Sequence, residues 1–289
     1  MGFIENAIKD MTKGMIESGL ADMFNDVNNS LTTVTTDIGK TPAEWNGSIF
    51  NIIHSLSENV ILPVAGIILT FVLGYEIVTM VVNRNNMHDF DISNLFQYIF
   101  KCFLAIIVVT NAWTIANAVF SLGKAIVEQA SGVIATGVSL DDSTLSGVSD
   151  ALDSLGVGKL LLIALEVTML RFAMDIMGII ITVILYGRMI EIYMAISIAP
   201  VPISTMANRE WGQTGNNYIK HLAALAFQGF FMVVCLGIYA ALINSAVVGA
   251  ISDPETLHAT LWGLMGYTIL LVLMLSKCGT IAQQMLGAH

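Results

Sequence analysis

Of the 289 residues in the chain, 55% are hydrophobic and only 12% are charged, and the formal net charge is −10. Soluble domains carry roughly 25% charged residues, so this composition excludes an ordinary water-facing surface and favours lipid as the solvent. Lys and Arg are scattered singly along the chain, which excludes a basic nucleic-acid-binding face. We therefore predict an all-α integral membrane protein with about five transmembrane helices.

The first 58 residues are predicted to form an amphipathic helical region outside the cytoplasm. Between residues 3 and 27, apolar side chains recur at helical spacing with charges between them, which indicates an amphipathic helix rather than a span. Residues 28–40 are polar and rich in Asn and Thr, and we interpret them as a linker. Thr41, Pro42 and Glu44 have the pattern of a capping box, so a second helix is predicted to start there and run towards the first span. The first helix would lie on the membrane surface or, as its mixed charge favours, pack on a partner.

The rest of the chain, residues 59–289, is predicted to be a polytopic transmembrane domain. About 20 apolar residues in a helix cross the roughly 30 Å of hydrocarbon in a bilayer. Residues 159–207 are too long for one straight span and too charged for two lipid-exposed spans. We interpret them as one crossing by a long broken helix, and two crossings remain the alternative. The five predicted spans are residues 60–82, 102–122, 159–207, 222–248 and 261–276.

The topology is predicted from the basic residues, because acidic residues contribute little to orientation. The basic residues that mark the cytoplasmic side are Arg84, Lys101, Arg209, Lys220 and Lys277. The segments placed outside are the acidic loop 124–158, with Asp141, Asp142, Asp150 and Asp153, and the turn at 252–255. Five crossings then place the N-terminus outside and the C-terminus in the cytoplasm. Two crossings within 159–207 would move the N-terminus to the opposite side.

Six ionisable residues within the predicted spans are candidates for a functional or packing role: Glu76, Glu166, Arg171, Asp175, Arg188 and Glu191. An ionised group in hydrocarbon costs several kcal/mol unless it faces protein, water or a counter-charge. Arg171 and Asp175 are four residues apart on one helical face and are predicted to pair, as are Arg188 and Glu191 at a spacing of three. Glu166 is predicted to point to another helix or subunit. These charges either line a translocation path or hold helices together, and both interpretations stay open.

A helix break is predicted at Pro200 and Pro202, because proline removes backbone donors. Such a break is tolerated at membrane depth only where the freed carbonyls meet protein or water. It would form a bend at the end of the third segment.

No enzyme, cofactor or metal site is predicted. The three cysteines, Cys102, Cys235 and Cys278, lie far apart in apolar segments and are interpreted as buried thiols. The sequence contains no zinc-protease, P-loop, dinucleotide-binding or nucleophile-elbow motif.

Several short segments carry a family resemblance: TPAEWNG at 41–47, LSENVILP at 56–63, NNMHDFD at 85–91, RMIEIY at 188–193 and SIAPVP at 197–202. They resemble the TrbL-like polytopic subunit of conjugative type IV secretion systems, in the branch found on mobile genetic elements of Gram-positive bacteria. The resemblance implies a bacterial cytoplasmic-membrane protein that forms an oligomer with other membrane subunits and cytoplasmic ATPases. It also implies a channel or scaffold role in moving relaxase-bound single-stranded DNA, with no catalytic residues. Membrane lipids are expected to fill gaps in such an assembly.

Two other functions are considered. The first is a secondary transporter or ion channel that uses Glu166, Arg171 and Asp175, although the inverted internal repeat that transporters often show is not found. The second is an enzyme acting on lipid or peptide, for which the sequence contains no catalytic constellation.

Overall fold

The computed structural model describes residues 2–83, 92–135, 152, 155–251 and 257–288. Within these residues every regular element is helical, which confirms the predicted all-α fold class. The elements in chain order are α1 (Gly2–Gly39), α2 (Pro42–Trp45), α3 (Gly47–Leu56), a π-helical segment (Ser57–Ile61), α4 (Leu62–Asn83), α5 (Ile92–Thr110), α6 (Ala112–Ala135), α7 (Val157–Ser197), α8 (Pro200–Thr205), α9 (Gly212–Ile251) and α10 (Leu257–Leu286).

Four helical stretches in the described part of the chain are long and apolar enough to cross a membrane. They are Gly47–Val82, Val157–Ser197, Gly212–Ser245 and Leu261–Leu286. The bent pair Leu95–Thr110 and Ala112–Ile134 makes a fifth if it is one broken span. Four to five candidate spans agree with the predicted number of about five.

Three predicted loops fall, wholly or in part, outside the described residues. They are the segment 84–91, the part of the acidic loop that contains Asp141, Asp142, Asp150 and Asp153, and the turn at 252–255. The sides of the membrane assigned to them remain predictions.

The predicted linker at residues 28–40 is wrong, because α1 continues through it to Gly39. Val34 and Ile38 are buried in an apolar cluster, and Leu31 packs against that cluster. These positions extend an apolar stripe at helical spacing into a segment that looks polar by composition. The hydroxyl groups of Thr32 and Thr36 donate to carbonyls one turn earlier, at 2.9 and 2.8 Å, so these side chains are accommodated within the helix.

The capping box that starts α2 is confirmed, but the helix it starts is short. The Thr41 hydroxyl accepts a hydrogen bond from the backbone N–H of Glu44, whose carboxylate accepts one from the N–H of Thr41. Helix α2 ends at Trp45, and the Asn46 side chain then accepts from the N–H of Ile49 at 3.0 Å. The predicted continuous helix is therefore a one-turn helix and a separately capped α3.

The predicted second span, residues 102–122, contains a bend. Helices α5 and α6 meet at Asn111 with a bend of 62°. The Thr110 hydroxyl donates to the Ile106 carbonyl at 2.9 Å, and the Asn111 amide donates to the Ile107 carbonyl at 2.8 Å. Side chains that bond the carbonyls of the last helical turn compete with the backbone pattern and favour a bend.

The third segment is one continuous helix from Val157 to Ser197 and is interrupted only at its C-terminal end. Its 41 residues extend about 60 Å at 1.5 Å per residue, which is twice the hydrocarbon thickness. A second crossing would need a turn between these residues, and the helix has none in this range. Residues 198 and 199 form a turn, after which Pro200 opens the short helix α8.

The chain divides into two compact units that do not follow the predicted boundary at residues 58 and 59. Unit 1 consists of Met1–Gly39, Val127–Tyr186 and Phe230–Cys278. Its buried clusters include Ile181, Met232 and Leu275 in one and Ile16, Leu160 and Val167 in the other. Unit 2 consists of Lys40–Ile126, Gly187–Gly229 and Gly279–His289, and its buried cluster includes Val72, Ile196 and Leu222.

Candidate functional site

Unit 2 contains a polar cluster centred on Glu76 of α4, one of the predicted site residues. One carboxylate oxygen of Glu76 accepts a hydrogen bond from the Lys101 ammonium of α5. The other accepts from the Asn208 side-chain amide at 2.6 Å. The Glu76 side chain is only 18% exposed, so both partners are needed to compensate for the loss of hydration. We call Glu76, Lys101 and Asn208 the Glu76 cluster.

The turn that follows α8 is folded around Asn208. The Asn208 side-chain oxygen accepts the backbone N–H groups of Glu210 and Trp211, at 2.8 and 3.2 Å. The Tyr75 hydroxyl donates to the Glu210 carboxylate at 3.0 Å, and the Trp211 ring stacks at 5.5 Å on Phe71 and at 5.7 Å on Tyr75. Asn208 therefore joins the turn to α4 through its amide while its carbonyl oxygen shapes the turn.

Both predicted helix-breaking residues, Pro200 and Pro202, are buried at the start of α8. The first turn of α9 crosses α8 so closely that a Cβ atom on Gly215 would lie 2.7 Å from the Pro202 carbonyl oxygen. It would also lie 2.1 Å from Cγ of Met206. Glycine is therefore required at position 215, because α9 packs closely against the helix break at Pro200 and Pro202.

A second polar contact in unit 2 lies at the capping box of α2. The Lys124 ammonium of α6 forms an ion pair with the Glu44 carboxylate. This contact and the hydrogen bonds from Thr41 lower the pKa of Glu44 to about 2. The Tyr193 hydroxyl donates to the Pro42 carbonyl at 2.7 Å and its ring packs on Trp45 at 5.9 Å. Helix α2 is therefore held within unit 2 by side chains from α6 and α7.

Arg188 and Glu191 of α7 also belong to unit 2. Arg188 is only 7% exposed, and its pairing with Glu191 stays a prediction from their spacing of three residues. A buried guanidinium at the C-terminal part of a candidate span must face protein, water or a counter-charge.

In unit 1, the predicted pair between Arg171 and Asp175 is wrong. The Arg171 guanidinium donates instead to the Asp22 carboxylate of α1 at 2.8 Å. Helix α1 approaches α7 so closely that a Cβ atom on Gly19 would lie 2.7 Å from Val167. One turn further along both helices, this approach brings Asp22 to Arg171, which a spacing rule within one helix does not consider.

Asp175 and Glu166 take separate positions on α7. Glu166 is half-buried, whereas Asp175 is exposed and lines a cavity of about 430 Å³ in unit 1. Side chains from α1, α7, α9 and α10 line the cavity. Its polar lining residues are Asn29, Thr33, Asp175, Thr182, Tyr239 and Thr268.

Two of the three cysteines lie closer together in the structure than their separation along the sequence indicates. The sulfur atoms of Cys235 and Cys278 lie 3.7 Å apart in unit 1. Among the described residues no three His, Cys, Asp or Glu side chains are grouped in a way that would hold a metal ion.

Together these features define a multi-pass helical membrane protein in which two of the candidate charges, Glu76 and Arg171, pair with another helix. A family model described as TrbL/VirB6 plasmid conjugal transfer like protein matches residues 27–200, which is more than half of the chain. The chain belongs to this family, which makes it a subunit of a conjugal transfer system of the type IV secretion class. Comparisons with curated proteins and with solved structures gave no match.

Proposed function

We propose that this chain is a channel-forming or scaffold subunit that helps relaxase-bound single-stranded DNA cross the bacterial cytoplasmic membrane. The observation that carries the proposal is the family match over residues 27–200. The candidate spans supply the membrane part of such a role.

The Glu76 cluster supports the proposed topology. It joins the C-terminal part of α4, the first half of α5 and the turn at residues 206–211, so these segments lie at one end of unit 2. Lys220 and Gly287 approach each other within the same unit. Lys101 and Arg209 are the basic residues in these segments, Lys220 lies in α9, and basic residues mark the cytoplasmic side. We accordingly place this end and the C-terminus in the cytoplasm and the N-terminus outside.

The partners follow from the same proposal. The turn at residues 206–211 would face the cytoplasmic ATPases of the secretion system, and the exposed apolar faces of α4 and α7 would contact lipid, other membrane subunits or further copies of this chain. Ile67 and Phe71 on α4 and Phe172 and Ile179 on α7 are exposed in the single chain.

The test is a mating assay with the gene deleted and then complemented, scored as transfer of the element to a recipient. We expect transfer to disappear on deletion and to return with the complementing gene. Complementation with the Glu76→Ala variant is compared with complementation by Glu58→Ala. The second variant is the control, since Glu58 is an exposed carboxylate outside the Glu76 cluster. Transfer at the parental level from the deletion strain would overturn the proposal.

The alternative is a secondary transporter or ion channel, and one observation favours it: Asp175 is exposed at a cavity within a candidate span. Arg171, which that alternative also uses, is instead held by Asp22. The two functions differ in their response to Asp175→Asn. A transporter would lose uptake or conductance, whereas a DNA-transfer subunit with intact Glu76 and Arg171 contacts would keep mating.

A further inference from the structure

The cavity in unit 1 has a lining that favours a particular kind of ligand. Its volume of about 430 Å³ falls in the range typical of small-molecule sites, which is roughly 300–1,000 Å³. Most of its wall is aliphatic, with Met174 and Leu271 among the lining residues, and a small number of polar groups come from four helices. Apolar walls with a few placed polar groups are the usual composition of a ligand pocket.

Two of the lining hydroxyl groups, those of Thr182 and Tyr239, use their donors within the protein, whereas Asn29 and Thr33 can also donate. The Thr182 hydroxyl donates to the Gly178 carbonyl at 3.0 Å. The Thr268 hydroxyl donates to the Leu264 carbonyl at 2.9 Å, so the 3.0 Å contact between Tyr239 and Thr268 has the tyrosine as donor. A hydroxyl has one donor and two acceptor positions, so Thr182 and Tyr239 retain acceptor capacity only.

The charge of the lining has one sign. Asp175 contributes a carboxylate, which only accepts hydrogen bonds, and none of the described residues lining the cavity is Lys or Arg. A carboxylate inside a candidate span needs a counter-charge or water. Asp175 forms no ion pair with another described residue, so its carboxylate is open to a bound cation.

A divalent metal ion does not fit this lining. Calcium takes six to eight oxygen ligands and magnesium requires an octahedron of them, with carboxylates as the usual charged ligands. Asp175 is the one acidic side chain among the described lining residues, and the remaining wall is largely aliphatic. A ligand with several N–H donors, one positive charge and an apolar body matches both the Asp175 carboxylate and the aliphatic wall.

We propose that this cavity binds a primary ammonium group carried on an apolar body, with Asp175 as its counter-ion. The ammonium has three donors, and a donor–carboxylate bond of this kind is among the stronger hydrogen bonds in proteins. The apolar body lies against the aliphatic wall. Two sources have this chemistry, an aminolipid and a free alkylamine. The proposal does not depend on the role in DNA transfer.

The test is isothermal titration calorimetry on the full-length protein in a nonionic detergent, with hexylammonium as the probe and hexanol as the uncharged control of the same length. We expect hexylammonium to bind at least about tenfold more tightly than hexanol, since a hydrogen bond to a charged group is worth about 1.5–3 kcal/mol. Asp175→Asn keeps the shape and removes the charge, so it should abolish this difference. Asp10→Asn, an exposed position on α1 outside the cavity, should preserve it.

A second variant tests the cavity without changing its charge. Gly178 lines the cavity, and a Cβ atom there would meet nothing within 4 Å, so Gly178→Leu adds a side chain in open space and reduces the free volume. We expect at least about a tenfold loss of hexylammonium affinity in this variant as well. Equal affinities for hexylammonium and hexanol, or unchanged binding in either cavity variant, would overturn the proposal.

Native mass spectrometry of the detergent-solubilised protein separates the two sources. An aminolipid retained by the parental protein and lost from Gly178→Leu would identify lipid as the donor of the ammonium. Hexylammonium binding without any retained aminolipid would identify a free amine.

Discussion

The two compact units differ in how their charged side chains are paired and exposed. In unit 2, Glu76 is held by Lys101 and Asn208, and Glu44 is held by Lys124, each across different helices. In unit 1, Arg171 and Asp22 form a pair in which both side chains are 47% exposed, and Asp175 lines a cavity. The contrast is between Glu76, which is 18% exposed and held by two helix-joining contacts, and the charges of unit 1, which remain accessible to a ligand or partner. Four substitutions break or sharpen this comparison, in decreasing order of expected effect.

The largest effect is expected for Glu76→Ala. It removes the acceptor of Lys101 and Asn208 together, and leaving half-buried donors unsatisfied should cost about 2–3 kcal/mol after allowance for the partial exposure of Lys101. The measurement is the midpoint of unfolding by sodium dodecyl sulfate in mixed micelles. Glu58→Ala is the matched control, because its pair with His54 is exposed and should cost less than about 0.5 kcal/mol. Equal losses in the two variants would contradict a packing role for the Glu76 cluster.

Gly215→Ala should destabilise unit 2 by about 1–3 kcal/mol, because the added methyl group overpacks the crossing of α8 and α9. The nearest rigid atom is the Pro202 carbonyl oxygen at 2.7 Å, which backbone constraints prevent from moving freely. Gly74→Ala on α4 is the control, since a Cβ there meets nothing within 4 Å. Alanine is favoured over glycine inside a helix, so Gly74→Ala should stabilise the protein by up to about 1 kcal/mol. The same detergent titration distinguishes the two, and opposite signs are expected.

The contact between Glu44 and Lys124 should make stability depend on acidic pH. The folded-state pKa of Glu44, about 2, lies below its ordinary value of 4.5, so the contribution is present above pH 4.5 and is lost as the pH falls towards 2. Solvent screening limits it to less than about 1 kcal/mol, because the Glu44 side chain is half exposed.

Thermal unfolding in detergent between pH 7 and pH 3 measures this contribution by comparing the parental protein with Glu44→Gln. The difference between them should shrink as the pH falls through 4.5. A difference that stays constant across this range would show that Glu44 acts through its shape and hydrogen bonds rather than its charge.

The smallest effect is expected for the exposed pair of Asp22 and Arg171. Reversing either charge alone should cost about 0.2–1 kcal/mol, and reversing both should restore most of the loss. The measured stabilities of the two single variants, the double variant and the parental protein form a double-mutant cycle. The pairing described for unit 1 would be contradicted if stability were restored by reversing Arg171 together with Asp175 and not by reversing Arg171 together with Asp22.

Hydropathy and capping chemistry predicted much of the fold. The candidate spans follow from apolar length, and the capping box at Thr41 follows from a local pattern whose hydrogen bonds lie within four residues. Composition failed at residues 28–40, where Asn and Thr indicated a linker although Val34 and Ile38 continue a buried stripe. It also gave no indication of the bend at Asn111, where two short polar side chains bond carbonyls of the preceding turn.

The contacts of the candidate residues were not predictable from spacing along one helix. Arg171 is four residues from Asp175, yet the close approach of α1 at Gly19 gives it Asp22 instead. Glu76 and Lys101 stand out in the sequence as single charges at facing ends of consecutive apolar segments, and that signal points to their pairing. The addition of Asn208 depends on the turn after α8, more than 130 residues away, and needs the folded structure.

The most direct test of the proposed role is whether DNA contacts this subunit while it is being transferred. Donor cells carrying a tagged, functional copy would be treated with formaldehyde during mating, and the tagged protein precipitated under denaturing conditions. Quantitative amplification of the transferred strand should show enrichment over a chromosomal sequence, and enrichment should vanish in donors that lack the relaxase. A transfer-competent donor whose tagged subunit shows no enrichment of the transferred strand would contradict a channel role.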